Sequence, residues 1–249
     1  MLPSRRLVTM GGDVFRDEYS LAFDGTDDHI DCGTNFETTV FNAPFTISVW
    51  VKLPDATPDS YNYICGTHQG NDKFFIRVST AGQLDLIYRD GITETINVEA
   101  SALTDATWHH IVGTISDSYQ GLYLDGALVD ARTYTPTTGD FDQSINRNLY
   151  IGARNNAGSV NSPMIGNISD FALYNTALSA SQIKTLYNGR EPYNHMEGTA
   201  ASNLVAWYRM GDGAEHGSGT TIYDESSNTY NGTFTDSDAS GIVYSGDTP

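Results

Sequence analysis

Apolar and polar residues alternate along much of this chain, and the alternation has a period of two. Over Trp108–Ile115 the even positions are Trp108, His110, Val112 and Thr114, and the odd ones are His109, Ile111, Gly113 and Ile115. Bulky and β-branched residues alternating in this way predict a strand whose two faces meet different surroundings. Further on, Asp125-Gly126 lies between Leu122-Tyr123-Leu124 and Ala127-Leu128-Val129. That dipeptide predicts a two-residue hairpin, because a type I′ turn needs positive φ at both central positions.

Comparable short runs fill the chain from Tyr19 to about Tyr174. They are Ser20–Phe23, Ile30–Cys32, Phe45–Leu53, Tyr63–Gly66, Phe74–Ser79, Leu84–Arg89, Thr93–Val98, Leu149–Gly152 and Gly166–Tyr174. One stretch has helical spacing: Ser179 is placed to cap, Gln182 to close a capping box and Gly189 to stop the helix. Ile183, Leu186 and Tyr187 would pack it on the strands. Many short strands with turn residues between them predict an all-β fold, a two-sheet antiparallel sandwich with one short helix.

Residues 1–18 read as an N-terminal arm, 19–189 as the main domain and 190–249 as a linker with a C-terminal β extension. The extension contains Leu204–Met210, Thr220–Asp224 and Tyr230–Phe234, the last with an Asn231-Gly232 turn. It is too short for a core of its own. It has to complete the main sandwich, pack on it, or pair with another chain.

Charge narrows the function. The net charge of −18 arises from 31 acidic against 13 basic residues, and such a surface repels phosphate backbones, so nucleic acid is excluded as a partner. A salty external medium accounts for it, as do carboxylates gathered around divalent cations. No apolar run approaches the length of a membrane span. The N-terminal MLPSRRLVTMGGDVF has no apolar core of signal-peptide length, so the expectation is synthesis in the cytoplasm without a signal peptide. Cys32 and Cys65 fall in separate predicted strands; one bridge between them is geometrically allowed, but two buried free thiols are the favoured reading.

Several motifs occur in order: FDGTDDHIDCG (Phe23–Gly33), FTISVWVKL (Phe45–Leu53), TWHHIVGTI, LYLDGALVD, LYIGAR (Leu149–Arg154) and GNISDFALYNTALSASQI (Gly166–Ile183). Together they resemble a laminin-G-like domain of the concanavalin A-like lectin/glucanase superfamily, over roughly residues 19 to 189. The resemblance implies a jelly roll of two curved antiparallel sheets. The tail pattern NLVAWYRMGDG…GTTIYDESSNTYNGTF is similar to segments flanking such domains in structural proteins of marine bacteriophages.

The resemblance also implies a structural calcium ion bridging the first strand's turn and a late strand, with Asp24, Asp28, Asp170 and the Gly25 carbonyl at the matching positions. An Asp-Gly-x-Asp-Asp loop does offer the oxygens that calcium needs. The competing reading is a plain Asp24-Gly25 hairpin turn with Asp28 on a solvated face.

Catalysis finds little support. Glucanases of the superfamily use a Glu-x-Asp-x-Glu strand, yet none of the eight glutamates here has an aspartate two residues later. HExxH, G-x-S-x-G and P-loop patterns are absent from the sequence. His109 and His110 are adjacent in a strand, point to opposite faces and cannot chelate one metal, which makes them scaffold. Tyr61, Tyr63, Tyr88, Tyr134 and Trp207 are candidates for stacking on sugar rings, although no cluster in the sequence marks a pocket.

The leading expectation is a non-enzymatic phage virion protein, a capsid decoration, cement or fibre component, with possible adhesion to host glycans. Its partners would be other virion proteins and further copies of itself, docked through Arg5, Arg6 and Arg16 of the arm and through the tail. The alternatives are a secreted or surface carbohydrate-binding lectin or adhesin with calcium and, more distantly, a divergent glycoside hydrolase.

Overall fold

A computed structural model describes residues 15–36, 44–69, 72–89, 93–97, 103–133, 148–212, 219–236 and 242–249. In chain order the first strands are β1 (Ser20–Asp24), β2 (His29–Asp31), β3 (Phe45–Lys52), β4 (Asn62–Gln69), β5 (Asp72–Val78), β6 (Leu84–Arg89) and β7 (Thr93–Asn97). A meander of β8 (Trp108–Ser116), β9 (Tyr119–Leu124) and β10 (Ala127–Thr133) follows. Then come β11 (Tyr150–Ile151), β12 (Arg154–Asn156), β13 (Ser159–Asn161) and β14 (Ile165–Tyr174). Helix α1 (Ala180–Tyr187) and a 3₁₀ turn (Ala201–Asn203) lead to β15 (Leu204–Tyr208), β16 (Thr221–Ile222), β17 (Gly232–Thr235) and β18 (Val243–Ser245).

These strands form two sheets. The first runs β10-β9-β8-β3-β14-β1-β18, with β15 also paired to β14. The second runs β16-β17-β2-β11-β4-β5-β6-β7, with β12 added to β4 and β13 to β12. Their inner faces meet over a core that includes Phe45, Ile47, Ile111, Ile115 and Phe171 from the first sheet and Ile30, Phe74, Ile76 and Leu86 from the second.

The alternation in β8 sorts its residues as expected. Ile111 and Ile115 enter this inter-sheet core, while Val112 joins Tyr123, Tyr174, Ile183 and Leu186 beneath α1. Each face of the strand is therefore buried against a different layer. His110 lies on the helix side, its Nε2 2.7 Å from Ser48 Oγ and its ring stacked on that of Tyr187. Burial pushes its pKa down to about 3, so it stays neutral. The Nε2 of His109 accepts the Thr104 N–H at 3.0 Å, which leaves the proton on Nδ1, 2.9 Å from Asp125 Oδ2. His109 thus holds the Thr104 backbone, whereas the ring of His110 meets the side chains of Ser48, Trp50 and Tyr187.

Local turn signals are mostly obeyed. Asp125 and Gly126 have φ of 50° and 76°, the type I′ signature. A side chain at Gly126 would press within 2.9 Å of the Tyr187 ring, so the hairpin tip also seats the helix. Ser179 and Gln182 form the reciprocal capping box, and the helix stops at Asn188 (φ 49°), one residue before Gly189. Asn231-Gly232 is different, because it makes no hairpin turn. Gly232 opens β17, where a Cβ would lie 2.5 Å from Ile30 Cγ2, and Asn231 Oδ1 accepts the Asp224 N–H at 3.0 Å. The glycine is required by close packing.

The C-terminal extension adds strands to both sheets: β15 beside β14, β17 beside β2 and β18 beside β1. Asp224 organises the loop between β16 and β17. Its Oδ1 accepts the backbone N–H groups of Trp207 and Ser226, and its Oδ2 accepts the Ser226 hydroxyl and the Tyr230 N–H, each at 2.8 Å. The described part of the N-terminal arm is tied to this extension. Arg209 donates twice to Asp17 Oδ1, at 2.7 and 2.9 Å, and its guanidinium covers the Phe15 ring at 4.4 Å. Arg16 is exposed, and its carbonyl accepts from Arg209 at 2.7 Å. Arg5 and Arg6 lie outside the described residues. Cys32 and Cys65 are free and buried; burial pushes the Cys65 thiol up to about 12 and that of Cys32 higher still. Among the described residues, no helix is long and apolar enough to cross a membrane.

Candidate functional site

The outer faces of the two sheets are not equivalent. That of the first lies under α1 and the segment leading to β15, which bury Tyr174, Leu178 and Trp207. The outer face of the second carries a compact cluster of Tyr63, Phe75 and Ile87. Period-two alternation puts it there: Phe74, Ile76 and Val78 of β5 point into the core, so Phe75 and Arg77 point outward. The register then sets Arg77 between Tyr63 of β4 and Asp85 of β6.

Arg77 organises this face. Its Nε donates to Asp85 Oδ2 at 2.8 Å and its Nη1 to the Tyr63 hydroxyl at 2.9 Å. Its guanidinium sits 4.1 Å from the centre of the Tyr61 ring and 5.3 Å from that of Phe75, both cation–π distances. Burial pushes the Asp85 carboxyl above its ordinary range, with Arg77 opposing. Tyr61 remains 40% exposed, so a fixed aromatic ring faces solvent against the first of two charged forks.

The second fork is Arg154, from β12. Its guanidinium lies 4.9 Å from the Tyr63 ring centre, donates to the Tyr63 hydroxyl at 3.2 Å and to Asn161 Oδ1. Its Nε is buried without a partner. Arg77 and Arg209 each hold a carboxylate, whereas the described partners of Arg154 include none. Further along the same sheet Tyr150 and His29 are buried, with ring centres 4.5 Å apart.

Of the residues named as glycan contacts, Tyr61 and Tyr63 lie on this face with ring centres 6.3 Å apart, but Tyr63 is 2% exposed beneath Arg77 and Arg154 and is corrected from a contact to a support, so Tyr61 alone of the two offers a ring. Tyr88 is corrected: it points inward, is 4% exposed and packs edge-on against Phe45 at 5.7 Å. Trp207 is corrected too, since at 3% exposure it offers no face to a sugar. Tyr134 lies outside the described residues. Sequence reading missed Arg77, Arg154 and Phe75, although the alternation in FFIRV marks Phe75 and Arg77 as outward.

The Asp24–Asp28 segment is a corner between the sheets, since β1 belongs to the first and β2 to the second. Gly25 takes φ 85°, Asp24 Oδ1 accepts the Thr26 N–H at 2.6 Å, and Asp28 Oδ2 accepts the Asp24 N–H at 3.0 Å. One carboxylate oxygen each from Asp24, Asp27 and Asp28 lie within 4.8 Å of one another. Asp28 is 3% exposed, its Oδ1 has no partner, and burial pushes its pKa up to about 6. A buried, unsatisfied carboxylate oxygen among two other carboxylates fits a hard cation such as calcium.

Asp170 is not part of that corner. It lies five positions beyond Ile165, the register partner of Asp24, or about 16 Å along the strand. A bulge between Ser169 and Ala172, with Asp170 at φ 53°, turns it toward the helix side. There its Oδ1 accepts the Trp207 indole N–H and its Oδ2 the His195 Nε2–H at 3.1 Å. His195 Nδ1 in turn accepts the Tyr174 hydroxyl. Asp27 stands at the corner where Asp170 was expected.

A pH effect follows from Asp28. Its folded pKa lies above the unfolded value, so the folded state holds the proton more tightly, and its ionisation costs stability as pH rises from about 4 through about 6. Wild type and Asp28→Asn should therefore diverge in Tm between pH 5 and pH 7.5 in EDTA, with the variant the more stable at pH 7.5. Added calcium should raise the wild-type Tm at pH 7.5, raise it less at pH 5, and leave Asp28→Asn unmoved. Equal calcium responses in the two proteins would remove Asp28 from any cation site.

Two antiparallel sheets, one capped by a helix and the other presenting an aromatic outer face, define a lectin-type β-sandwich. Residues 24–184 match the laminin G model of the concanavalin A-like lectin/glucanases superfamily, and the chain belongs to that family. A search of curated proteins finds no match. Among solved structures, the chain is similar to a Bacteroides ovatus protein described as a candidate carbohydrate-binding protein. That match has 19% identity and a TM-score of 0.68, and covers 93% of this chain and 60% of the other. It is also similar to the CBM40 module of the Ruminococcus gnavus IT-sialidase, with 14% identity, a TM-score of 0.52, and coverage of 68% of this chain and 96% of the module. A third is the heptameric SAP-like pentraxin of Limulus polyphemus, with 16% identity, a TM-score of 0.51, and coverage of 70% and 84%. Identities this low show a shared fold.

Proposed function

We propose that this chain is a non-catalytic carbohydrate-binding protein that holds glycans on the outer face of its second sheet. The observation that carries the reading is the exposed Tyr61 ring, fixed by the Arg77 guanidinium at 4.1 Å, with Arg154 over the neighbouring Tyr63 ring at 4.9 Å. An aromatic face suits the C–H surface of a sugar, and preset polar groups beside it fix the orientation. Because both forks are anchored before a ligand arrives, little side-chain freedom is lost on binding. Arg154, with no described carboxylate partner, favours sugars that bear an acid group. A Ruminococcus gnavus module of the same fold, 16% identical to this chain, has been solved bound to α2,3-sialyllactose.

The non-catalytic part rests on Asp85 and Asp31, carboxylates among the described residues of this face. Asp85 is salt-bridged to Arg77, and Asp31 accepts from the Gly33 N–H and Asn148 Nδ2. They stand on β6 and β2, four strand spacings apart, or about 19 Å at 4.8 Å per spacing. Glycoside hydrolysis needs two carboxyl groups roughly 5 to 9.5 Å apart. The setting proposed is a phage particle, supported by the tail pattern and the acidic surface. Mass spectrometry of purified particles should find the chain at stoichiometric copy number, and its absence there would favour an extracellular lectin.

Glycan-array binding followed by calorimetry on the best ligand tests the site. Tyr61→Ala and Arg154→Ala should each weaken affinity about ten-fold or more, roughly 1.4 kcal/mol, with Tm changed little. Acidic glycans should lose more than neutral ones on Arg154→Ala. Unchanged binding in both variants would move the site elsewhere, and release of reducing ends from a bound polysaccharide would make the protein an enzyme.

A further inference from the structure

A hollow of about 380 Å³ opens on the helix side of the first sheet, between Phe15 and Arg16 of the arm, the end of α1 and the loop that follows it. Its two rings, Phe15 and Tyr193, are rooted in the apolar cluster beneath α1. The loop divides its residues between anchor and wall. Pro192 and His195 are buried, and His195 is tied to Asp170 and Tyr174. Glu191, Tyr193, Asn194 and Glu197 face the hollow.

The wall is braced from within. Asn188 Nδ2 donates to the Pro192 carbonyl at 3.3 Å, the Tyr193 hydroxyl to the Glu197 carbonyl at 3.2 Å, and Asn194 Nδ2 to Glu197 Oε1 at 3.0 Å. Opposite, the Phe15 ring rests 5.6 Å from that of Trp207 and is backed by the Arg209 guanidinium. A cavity of this size takes a small molecule, and one that is already formed costs little ordering on binding.

Its polar groups are of both signs. Arg16 and Glu191 are exposed, and their side chains have no partner among the described residues. An anion would meet the carboxylates of Glu191 and Glu197, and a cation would meet the Arg16 guanidinium. A neutral ligand rich in hydroxyls suits both, because each hydroxyl donates to a carboxylate or accepts from a guanidinium. The two rings then offer their faces to its C–H surface.

We infer that this hollow is a second ligand site, one that takes a neutral saccharide unit. It stands on the opposite side of the sandwich from Tyr61 and Arg154, whose charged forks favour acidic sugars, and it does not depend on them. A chain with both sites holds two glycan segments at once, which raises its avidity for a surface that carries both kinds.

Calorimetry and saturation-transfer NMR of the full chain test the site with neutral trisaccharides of gluco, galacto and manno configuration, each at up to about 20 mM. At least one should bind. Arg16→Ala and Glu191→Ala should each weaken that binding about ten-fold or more, with Tm unchanged, since neither side chain holds the fold together. Tyr61→Ala and Arg154→Ala should leave it unaltered, so failure of the acid-directed face and failure of this site are read separately. The inference is overturned if no trisaccharide binds, or if binding survives both Arg16→Ala and Glu191→Ala. Loss of trisaccharide binding in Tyr61→Ala would place the sugar on the second sheet instead. Binding of choline or L-alanine, abolished by Glu191→Ala while no trisaccharide binds, would give the hollow to a cation or a zwitterion.

Discussion

A chain ended after Asn203 should not fold, although the family match closes at residue 184. Such a chain would lose Trp207, Tyr208, Met210, Ile222 and Phe234, each at most 3% exposed. At about 1.5–3 kcal/mol for each buried side chain, their loss is on the order of 10 kcal/mol, comparable with the whole net stability of a domain. The damage extends beyond apolar area. β2 would lose its neighbour β17 and β1 its neighbour β18, which bares strand edges that invite aggregation. Asp17, whose carboxyl burial already pushes up to about 8, would lose the Arg209 guanidinium that opposes this and be left a buried polar group without its partner. The expected outcome is an insoluble product, or a soluble one without a cooperative thermal transition. A truncated chain that melts sharply near the full-length Tm would show that the extension merely packs on a self-sufficient domain.

The second large effect is expected at Asp170. Its carboxylate is 1% exposed and accepts from both Trp207 and His195, so Asp170→Ala leaves two buried donors without an acceptor and breaks the chain running on to Tyr174. Removing one partner of such a buried network costs about 3–5 kcal/mol, which for a protein of this size lowers Tm by about 10 °C or more. Trp207→Phe keeps a ring but removes the indole N–H, and should cost about 1–3 kcal/mol. The loss in Asp170→Ala should be the same in EDTA as in calcium, because the residue lies away from the Asp24–Asp28 corner. A mild effect, or one that calcium alone produces, would return Asp170 to the role of a metal ligand.

These cases show what local patterns convey and where they stop. The hairpin at Asp125-Gly126 and the cap at Ser179 were legible because each is determined within a few residues. Asn231-Gly232 carries the same turn chemistry, yet its glycine answers to Ile30, two hundred positions away in the chain. Asp170 was misplaced because the register of β1 on β14, which sets it five positions from the corner, is not written in either strand, and a bulge then turns it to the helix side. Tyr63 and Tyr88 looked alike in sequence. Only the pairing of β4, β5 and β6, including the irregularity between Tyr63 and Cys65, sends one ring outward and the other into the core. Arg154 reaches the site from β12, which lies against β4 in parallel, a neighbourhood that no spacing in the sequence announces.

The pairing of the first strands with the last has a kinetic consequence. Ser20 Oγ donates to the Asp247 carbonyl across 227 positions, and β1 and β2 both wait for strands at the far end of the chain. Loops this long must close before their contacts repay the entropy, so folding is expected to be slow. On the ribosome, the second sheet lacks a strand until β17 (Gly232–Thr235) has emerged, and the first until β18 (Val243–Ser245) has. A nascent chain of this protein should therefore depend on chaperones for most of its synthesis. Once closed, the same stitching should make it slow to unfold.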